Sequence, residues 1–185
     1  MKKDVKERII KTASQLFYKN GYNATGINEI IEKAGIAKAT LYNHFKSKDE
    51  LCISYLRHMN DDFLVNIKAY CAAKQKGKAQ ILAIFDFLQE FFFEKNFNGC
   101  WCVKTIGELP KSNKQIRKEI QNQKEQFLQI VSNLVETNLA AKSKKIYESK
   151  ARQIYLLYEG AVGESHLHQD EWPILEAKMI CSKII

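Results

Sequence analysis

The chain has 185 residues, 45% hydrophobic and 27% charged, with 29 Lys and Arg against 21 Asp and Glu, giving a net charge of +8. Residues 1–50 hold ten basic against six acidic side chains and the other 135 hold nineteen against fifteen, so both parts carry +4 and the positive charge is denser in the N-terminal part. That length suits one domain or a small domain joined to a larger one. The absence of any run of 18 apolar residues argues against a membrane span, and five cysteines without a small-scaffold spacing argue against a disulfide framework and for a reducing, cytoplasmic setting.

The opening MKKDVKERIIK reads as an amphipathic helix and not as the core of a signal peptide. A first helix is expected over Val5–Asn20, with Ile9, Ala13, Leu16 and Phe17 inward and Gly21 as its stop. Ile27, Ile30, Ile31 and Ala34 recur at helical spacing and end at Gly35, which takes a positive φ at little cost. Lys38–Phe45 then forms a third short helix with Leu41 and Phe45 on one face. Two short helices set by a glycine turn make a helix-turn-helix, whose second helix can lie in the DNA major groove.

At about 100° per residue, Leu41 and Phe45 define the buried side of that second helix. Ala39, Asn43 and, somewhat off centre, Thr40 lie opposite, Tyr42 and His44 flank them, and Lys38 occupies the first turn. Small and amide side chains allow close approach to base edges, and Asn pairs with adenine in a bidentate way. The hydroxyl, phenol, imidazole and ammonium groups reach phosphate oxygens, which position without specifying. Lys46 and Lys48 add charge just beyond, and Ser47-Lys48-Asp49-Glu50 matches a capping box, leaving N–H groups at the next helix start to meet a phosphate.

Thr25, Ala34-Gly35-Ile36, Thr40-Leu41-Tyr42, His44-Phe45, Lys48 and Leu51 together resemble the TetR family of bacterial transcriptional regulators over about the first 50 to 60 residues. The resemblance implies phosphate contacts from Thr25, Thr40, Tyr42, His44 and Lys48, and base contacts from Lys38, Ala39 and Asn43. Gly26 and Lys46 complete the expected DNA-binding set. A lone Tyr-x-His or a solvated lysine cluster explains the parts separately but not their combined spacing. His44 has no partner at metal-ligand spacing on its helix, so no metal site is expected there.

Beyond this unit a fourth helix is expected over about Lys48–Ala73 and a fifth over Ala79–Lys95, with Asn96–Gly99 as a loop. A short helix from Cys100 stops before Pro110, and a long one runs from Asn113 to about Leu139. After a basic connector, Ala140–Lys145, two last helices cover about Tyr147–His168 and Trp172–Ile184, with Pro173 in a first turn. The expected fold is all-α, about nine helices: a DNA-binding domain over 1–50 and a regulatory and dimerisation domain over 51–185. No cofactor is implied, and no nucleophile–base pair, phosphate loop or metal constellation suggests an enzyme.

The family resemblance further implies a homodimer on a palindromic operator, paired through the last two helices. Tyr155, Tyr158, Val162 and Ile180 are the candidates for that interface. It also implies a cavity for a small apolar or aromatic effector, for which Phe85, Leu88, Phe92 and Trp101 are the candidates. Ordinary core packing is the competing reading of those aromatic residues. Asn98-Gly99-Cys100-Trp101-Cys102 followed by Glu108-Leu109-Pro110 resembles a segment of electrophile- and oxidant-responsive members, which makes Cys100 a candidate reactive thiol. A helix start favours its thiolate, with Lys95 and Lys104 the cations considered. Cys100 and Cys102, two apart on a helix, diverge and are not expected to pair. His166 and His168, with Asp170 and Glu171 nearby, read as a polar cluster at a helix end more readily than as a metal site. The alternative in another class is a small-molecule or redox sensor acting through Cys100 without conventional DNA binding.

Overall fold

Nine α-helices and no strand occur among the described residues, which in this computed structural model are 2–94, 97–139 and 143–185, with backbone only for Lys2 and Lys3. They are α1 (Lys2–Asn20), α2 (Ile27–Ala34), α3 (Lys38–His44), α4 (Lys48–Ala72), α5 (Lys78–Phe92), α6 (Trp101–Glu108), α7 (Lys114–Asn138), α8 (Lys144–His168) and α9 (Trp172–Ile184). The expected all-α architecture is observed, and most boundaries fall within a residue or two of those read from periodicity. Two differ more. α5 ends at Phe92, where Phe93 caps it with its side chain in solvent. α8 starts three residues early, at Lys144 behind Ser143, because exposed Lys144, Lys145 and Ile146 carry no apolar period. Lys95, the expected end of the fifth helix, and Asn96 and residues 140–142, parts of the expected loop and connector, lie outside the described residues.

The chain divides into two compact units, Met1–Asp62 with Trp101–Gln123, and Phe63–Cys100 with Lys124–Ile185. The first takes α1 to α3, the first part of α4, all of α6 and the start of α7. Its buried residues include Ile9, Ala13 and Phe17 of α1, Ile30 of α2, Leu41 of α3, and Leu51, Tyr55 and Leu56 of α4. From α6 and α7 it buries Trp101, Thr105 and Ile116. Phe17 is the hub, with its ring 5.5 Å from Tyr55 and 5.8 Å from Tyr22. Arg57 reaches Glu119 at 2.8 Å, and Gln123 donates to the same carboxylate at 3.0 Å. Burial of Glu119 opposes its ionisation, but the two donated hydrogen bonds and the guanidinium charge prevail and hold its carboxyl below the usual range.

The second unit is built on α5, α8 and α9, joined by the later parts of α4 and α7. Ile81, Ile84, Phe85 and Leu88 of α5 are buried in one core with Phe127 and Val131 of α7, Ile154 and Tyr158 of α8, and Ile174 and Cys181 of α9. Tyr158 packs 4.7 Å from Phe127 and 6.1 Å from Phe85, ring to ring. Burial drives its phenol pKa well above the ordinary value.

Candidate nucleic-acid interface

The turn between α2 and α3 is fixed by backbone chemistry. Gly35 sits at φ 61°, ψ 47°, and its N–H bonds Glu32 O while that of Ile36 bonds Ile31 O, the Schellman closure of a helix. A side chain at Gly35 meets nothing within 4 Å, so glycine is required there by its φ and not by crowding. Ala37 is extended and α3 begins at Lys38. Leu41 and Phe45 are buried at 0% and 1% exposure and anchor one side of α3. Lys38, Ala39, Tyr42 and Asn43 stand on the exposed side, while Thr40 and His44 are half-buried at its edges. Lys6 of α1 lies over the outer ring of Phe45, 5.6 Å from its centroid.

Behind α3, Ser47 Oγ accepts the Glu50 N–H at 3.1 Å. The Glu50 carboxylate accepts from Lys46 N–H at 2.7 Å, one residue before the cap where a standard capping box would place that bond. The first amides of α4, at Lys48 and Asp49, therefore lack an acceptor within their own helix. Lys48 Nζ is held 4.3 Å above the ring of Tyr22, and the Tyr22 hydroxyl donates to Asp49. Tyr22 was not among the candidates from sequence; nothing in its spacing announces an aromatic platform 26 residues before the lysine it carries. Thr25 is fully buried and its hydroxyl donates to Gly21 O at 2.7 Å, so exposed Gly26, the N-cap of α2, is the outward residue beside it.

The other expected sites fall elsewhere. Phe85 and Leu88 are core residues of the second unit, with Phe92 half-buried against that core, whereas Trp101 belongs to the first unit. They line neither a cavity of about 630 Å³ bordered by Leu128, Ser132, Tyr147 and Arg152 nor one of about 390 Å³ bordered by Asp49, Pro110 and Asn113. Tyr158 and Val162 are buried within their own unit, Tyr155 is half-buried and Ile180 is exposed. Among the residues of α8 and α9 that face outward are two apolar stripes. Leu156, Gly160, Gly163 and Leu167 run along α8, and Trp172, Leu175 and Met179 along α9.

Cys100 is half-buried immediately before α6, and the ammonium group at its sulfur is that of Lys124, 3.2 Å away. Lys124 is itself paired with Glu159 of α8 at 2.6 Å. Lys104, one of the two cations considered from sequence, instead donates to the carbonyls of Tyr18 and Lys19; Lys95 lies outside the described residues. Lys124 escaped sequence reasoning because the contact joins residues 24 apart on different elements. Burial pushes the thiols of Cys52 and Cys181 up to about 12 and that of Cys71 to about 11. Among the described residues no group of His, Cys, Asp and Glu is arranged to hold a metal ion, and no helix is long and apolar enough to cross a membrane.

Residues 9–54 match the family described as bacterial regulatory proteins, tetR family. Over 86 residues the chain is 33% identical to the HTH-type transcriptional activator FasR of Mycolicibacterium smegmatis, covering 44% of this chain and 39% of FasR. Over 97 residues it is 33% identical to IcaR, the negative transcriptional regulator of the biofilm operon icaADBC in Staphylococcus aureus, covering 49% of this chain and 47% of IcaR. The chain thus spans less than half the length of either relative. Its fold is similar to that of E. coli NemR in the reduced form, with a TM-score of 0.88 at 20% identity over 98% of this chain and 97% of that one. The matched segment, residues 9–54, is the one that holds the helix-turn-helix, its glycine turn and the capped start of α4, and it is over this segment that the chain matches the tetR family of bacterial regulatory proteins.

Proposed function

We propose that the protein is a cytoplasmic, homodimeric transcriptional regulator, a repressor, that binds a palindromic operator and leaves it when an effector occupies the C-terminal part. The observation that carries this reading is the exposed face of α3, with Lys38, Ala39, Tyr42 and Asn43 outward over buried Leu41 and Phe45. Lys38, Ala39 and Asn43 meet base edges. Thr40, Tyr42, His44, Lys46 and Lys48 meet phosphates, Gly26 adds its backbone amide, and buried Thr25 holds that turn in place. Holding Lys48 over the Tyr22 ring limits its rotamers before DNA arrives and so reduces the entropy lost on contact.

A single helix-turn-helix offers one recognition helix, and twofold pairing places two of them about one DNA turn or a multiple of it apart. The outward stripes on α8 and α9 are the surface we assign to the second copy, with Ile180 and Tyr155 at or near its edge. Release follows from linkage: an effector that binds the operator-incompatible form better lowers DNA affinity by that difference, however tightly it binds. Its chemistry, apolar or aromatic, is suggested by the Phe-rich region around Phe85, Leu88 and Phe92. The experiment is selection of duplexes from a random pool, followed by titration at several salt concentrations. A palindromic consensus with steeply salt-dependent affinity is expected; binding without sequence preference refutes the reading.

A second reading is favoured by Lys124 at the Cys100 sulfur: a thiol sensor for electrophiles or oxidants that need not bind DNA in the conventional way. A neighbouring ammonium favours thiolate over thiol. The thiolate would add to the β-carbon of an α,β-unsaturated carbonyl, forming the C–S bond as the π pair moves toward oxygen and the α-carbon takes a proton from water. The same DNA selection separates the readings, because only the regulator requires a consensus.

A further inference from the structure

The sharp turn between α1 and α2 is held by a residue from a distant part of the sequence. Gly21 has φ +90°, and a Cβ built there would lie 2.2 Å from Glu108 Oε1, so the carboxylate occupies the space a side chain would need. The other oxygen, Oε2, accepts the backbone N–H of Asn23 at 2.7 Å, and Glu108 O accepts Asn23 Nδ2 at 2.9 Å. One turn earlier in α6, Lys104 Nζ donates to Tyr18 O at 2.8 Å and Lys19 O at 3.2 Å, capping the C-terminus of α1. The α6–α7 connection reaches the start of α4 as well, through Asn113 Nδ2 on Asp49 Oδ2 at 2.8 Å. Asp49 also takes the hydroxyl of Tyr22, the ring that carries Lys48. All of these residues lie in the first compact unit.

We propose that Glu108 is a positioning residue for DNA binding: its carboxylate and carbonyl fix the Gly21–Asn23 turn, and through it the backbone of Thr25 and Gly26. This rests on the DNA-binding reading above and adds to it a residue that touches no DNA. A looser requirement, bulk alone, would be met by a leucine or methionine. The Asn23 backbone N–H, bonded to Oε2, asks for a side-chain acceptor at this place, whereas Asn23 Nδ2 is met by a main-chain carbonyl that any residue supplies. Since Thr25 hands its hydroxyl to Gly21 O, the turn is bonded at both ends and transmits its position directly to the N-terminus of α2.

The sign of the effect separates positioning from simple charge. Removing an acid from a DNA-binding chain ordinarily strengthens binding to phosphates, so on charge alone Glu108→Gln and Glu108→Ala both gain affinity. Positioning instead predicts that Glu108→Gln, which keeps an acceptor for Asn23 N–H, binds the selected operator at least as well as the unchanged protein. Glu108→Ala, which loses that acceptor, falls by about tenfold. Hydrogen exchange of the DNA-free full chain provides the second readout: the Asn23 amide exchanges faster in Glu108→Ala and stays protected in Glu108→Gln. Tyr42→Ala serves as the reference for loss of a direct contact, with unchanged exchange at Asn23. Equal affinities of the alanine and glutamine variants, or unaltered exchange in the alanine variant, would overturn the positioning role. An unchanged protein that selects no DNA at all would overturn the regulator reading and the role that rests on it, and it is told apart by failing before any variant is made.

Discussion

Truncating the outward leucines of α8 tests pairing without disturbing the protomer. Leu156 is 66% exposed and Leu167 71% exposed, so changing either to Ala leaves no core cavity, and Ala is the better helix former. Complete burial of a leucine contributes about 1.5–3 kcal/mol, so covering two-thirds of one contributes roughly 1–2 kcal/mol. Twofold symmetry doubles this to roughly 2–4 kcal/mol per dimer for each position, or about 30- to 700-fold in the dimer dissociation constant. Gly160 and Gly163, between the two leucines, have nothing within 4 Å of where a Cβ would stand, which leaves room for a second helix to approach closely. Sedimentation over a dilution series of the unchanged protein and of Leu156→Ala measures the shift. Operator titrations at the same concentrations should show affinity falling with the dimer fraction. A dimer constant unaltered by Leu156→Ala and Leu167→Ala together would remove this face from the interface. Val162 cannot serve for the same test: at 7% exposure within its own core, a charge there unfolds the protomer before pairing is probed.

Tyr42→Ala and Lys48→Ala should each weaken binding to all duplexes by about 1 kcal/mol, whereas exchanging Ala39 or Asn43 should change the selected consensus; a new consensus from the first pair at unchanged affinity would reverse the assignments. Limited alkylation read by mass spectrometry should label Cys100 ahead of Cys52, Cys71 and Cys181, whose thiols burial holds up at about 11 to 12. In Lys124→Met the pH midpoint for Cys100 labelling should move upward, because the cation that favours the thiolate is gone; an unmoved midpoint means the 3.2 Å contact does not tune the sulfur. Gly35→Ala should cost about 1–2 kcal/mol from its φ alone, as the space around it is open. Thermal melts of the Ala and Asn variants test this, and Asn should cost less.

The helix-turn-helix was legible because its signals are local. Leu41 and Phe45 four apart, a glycine after Ala34 and a capping box at Ser47 each act within a few residues, and each appears where periodicity and capping chemistry put it. The variation of the Glu50 bond, to Lys46 and not to Ser47, was beyond reach, since both amides are equally near in sequence. Helical periodicity also groups Tyr155, Tyr158 and Val162 of α8, and within the protomer Tyr158 and Val162 are buried while Tyr155 is half-buried. What it could not say is whether that face turns toward the protomer's own core or toward a partner. Both are apolar, and the answer depends on Phe85 and Phe127, 73 and 31 residues before Tyr158. Cys100 illustrates the same limit. Its place before a helix follows from Gly99 and Pro110, but its cation arrives from α7 and that cation's counter-charge from α8.

Charge explains why the proposed DNA-binding segment can be read from sequence and the proposed sensing segment cannot. An operator always presents the same repeating phosphates, so the residues that meet it are constrained to amides, hydroxyls and ammonium groups on one short face. An effector presents no fixed chemistry, and the residues around Phe85 and Leu88 are consistent with a core as much as with a lining. The groups that depart from ordinary packing are therefore the better guides. Lys124, half-buried between a thiol and Glu159, is one of them. Its pairing with the carboxylate offsets the cost of removing an ammonium from water, and it also sets a competition: the more negative Glu159 holds the cation, the less of its field acts on Cys100. Glu159→Gln should consequently lower the pH midpoint of Cys100 labelling while Lys124→Met raises it. Two opposite shifts on one sulfur would show that the three side chains act as a unit, and shifts of the same sign would show that the carboxylate only holds the lysine in place.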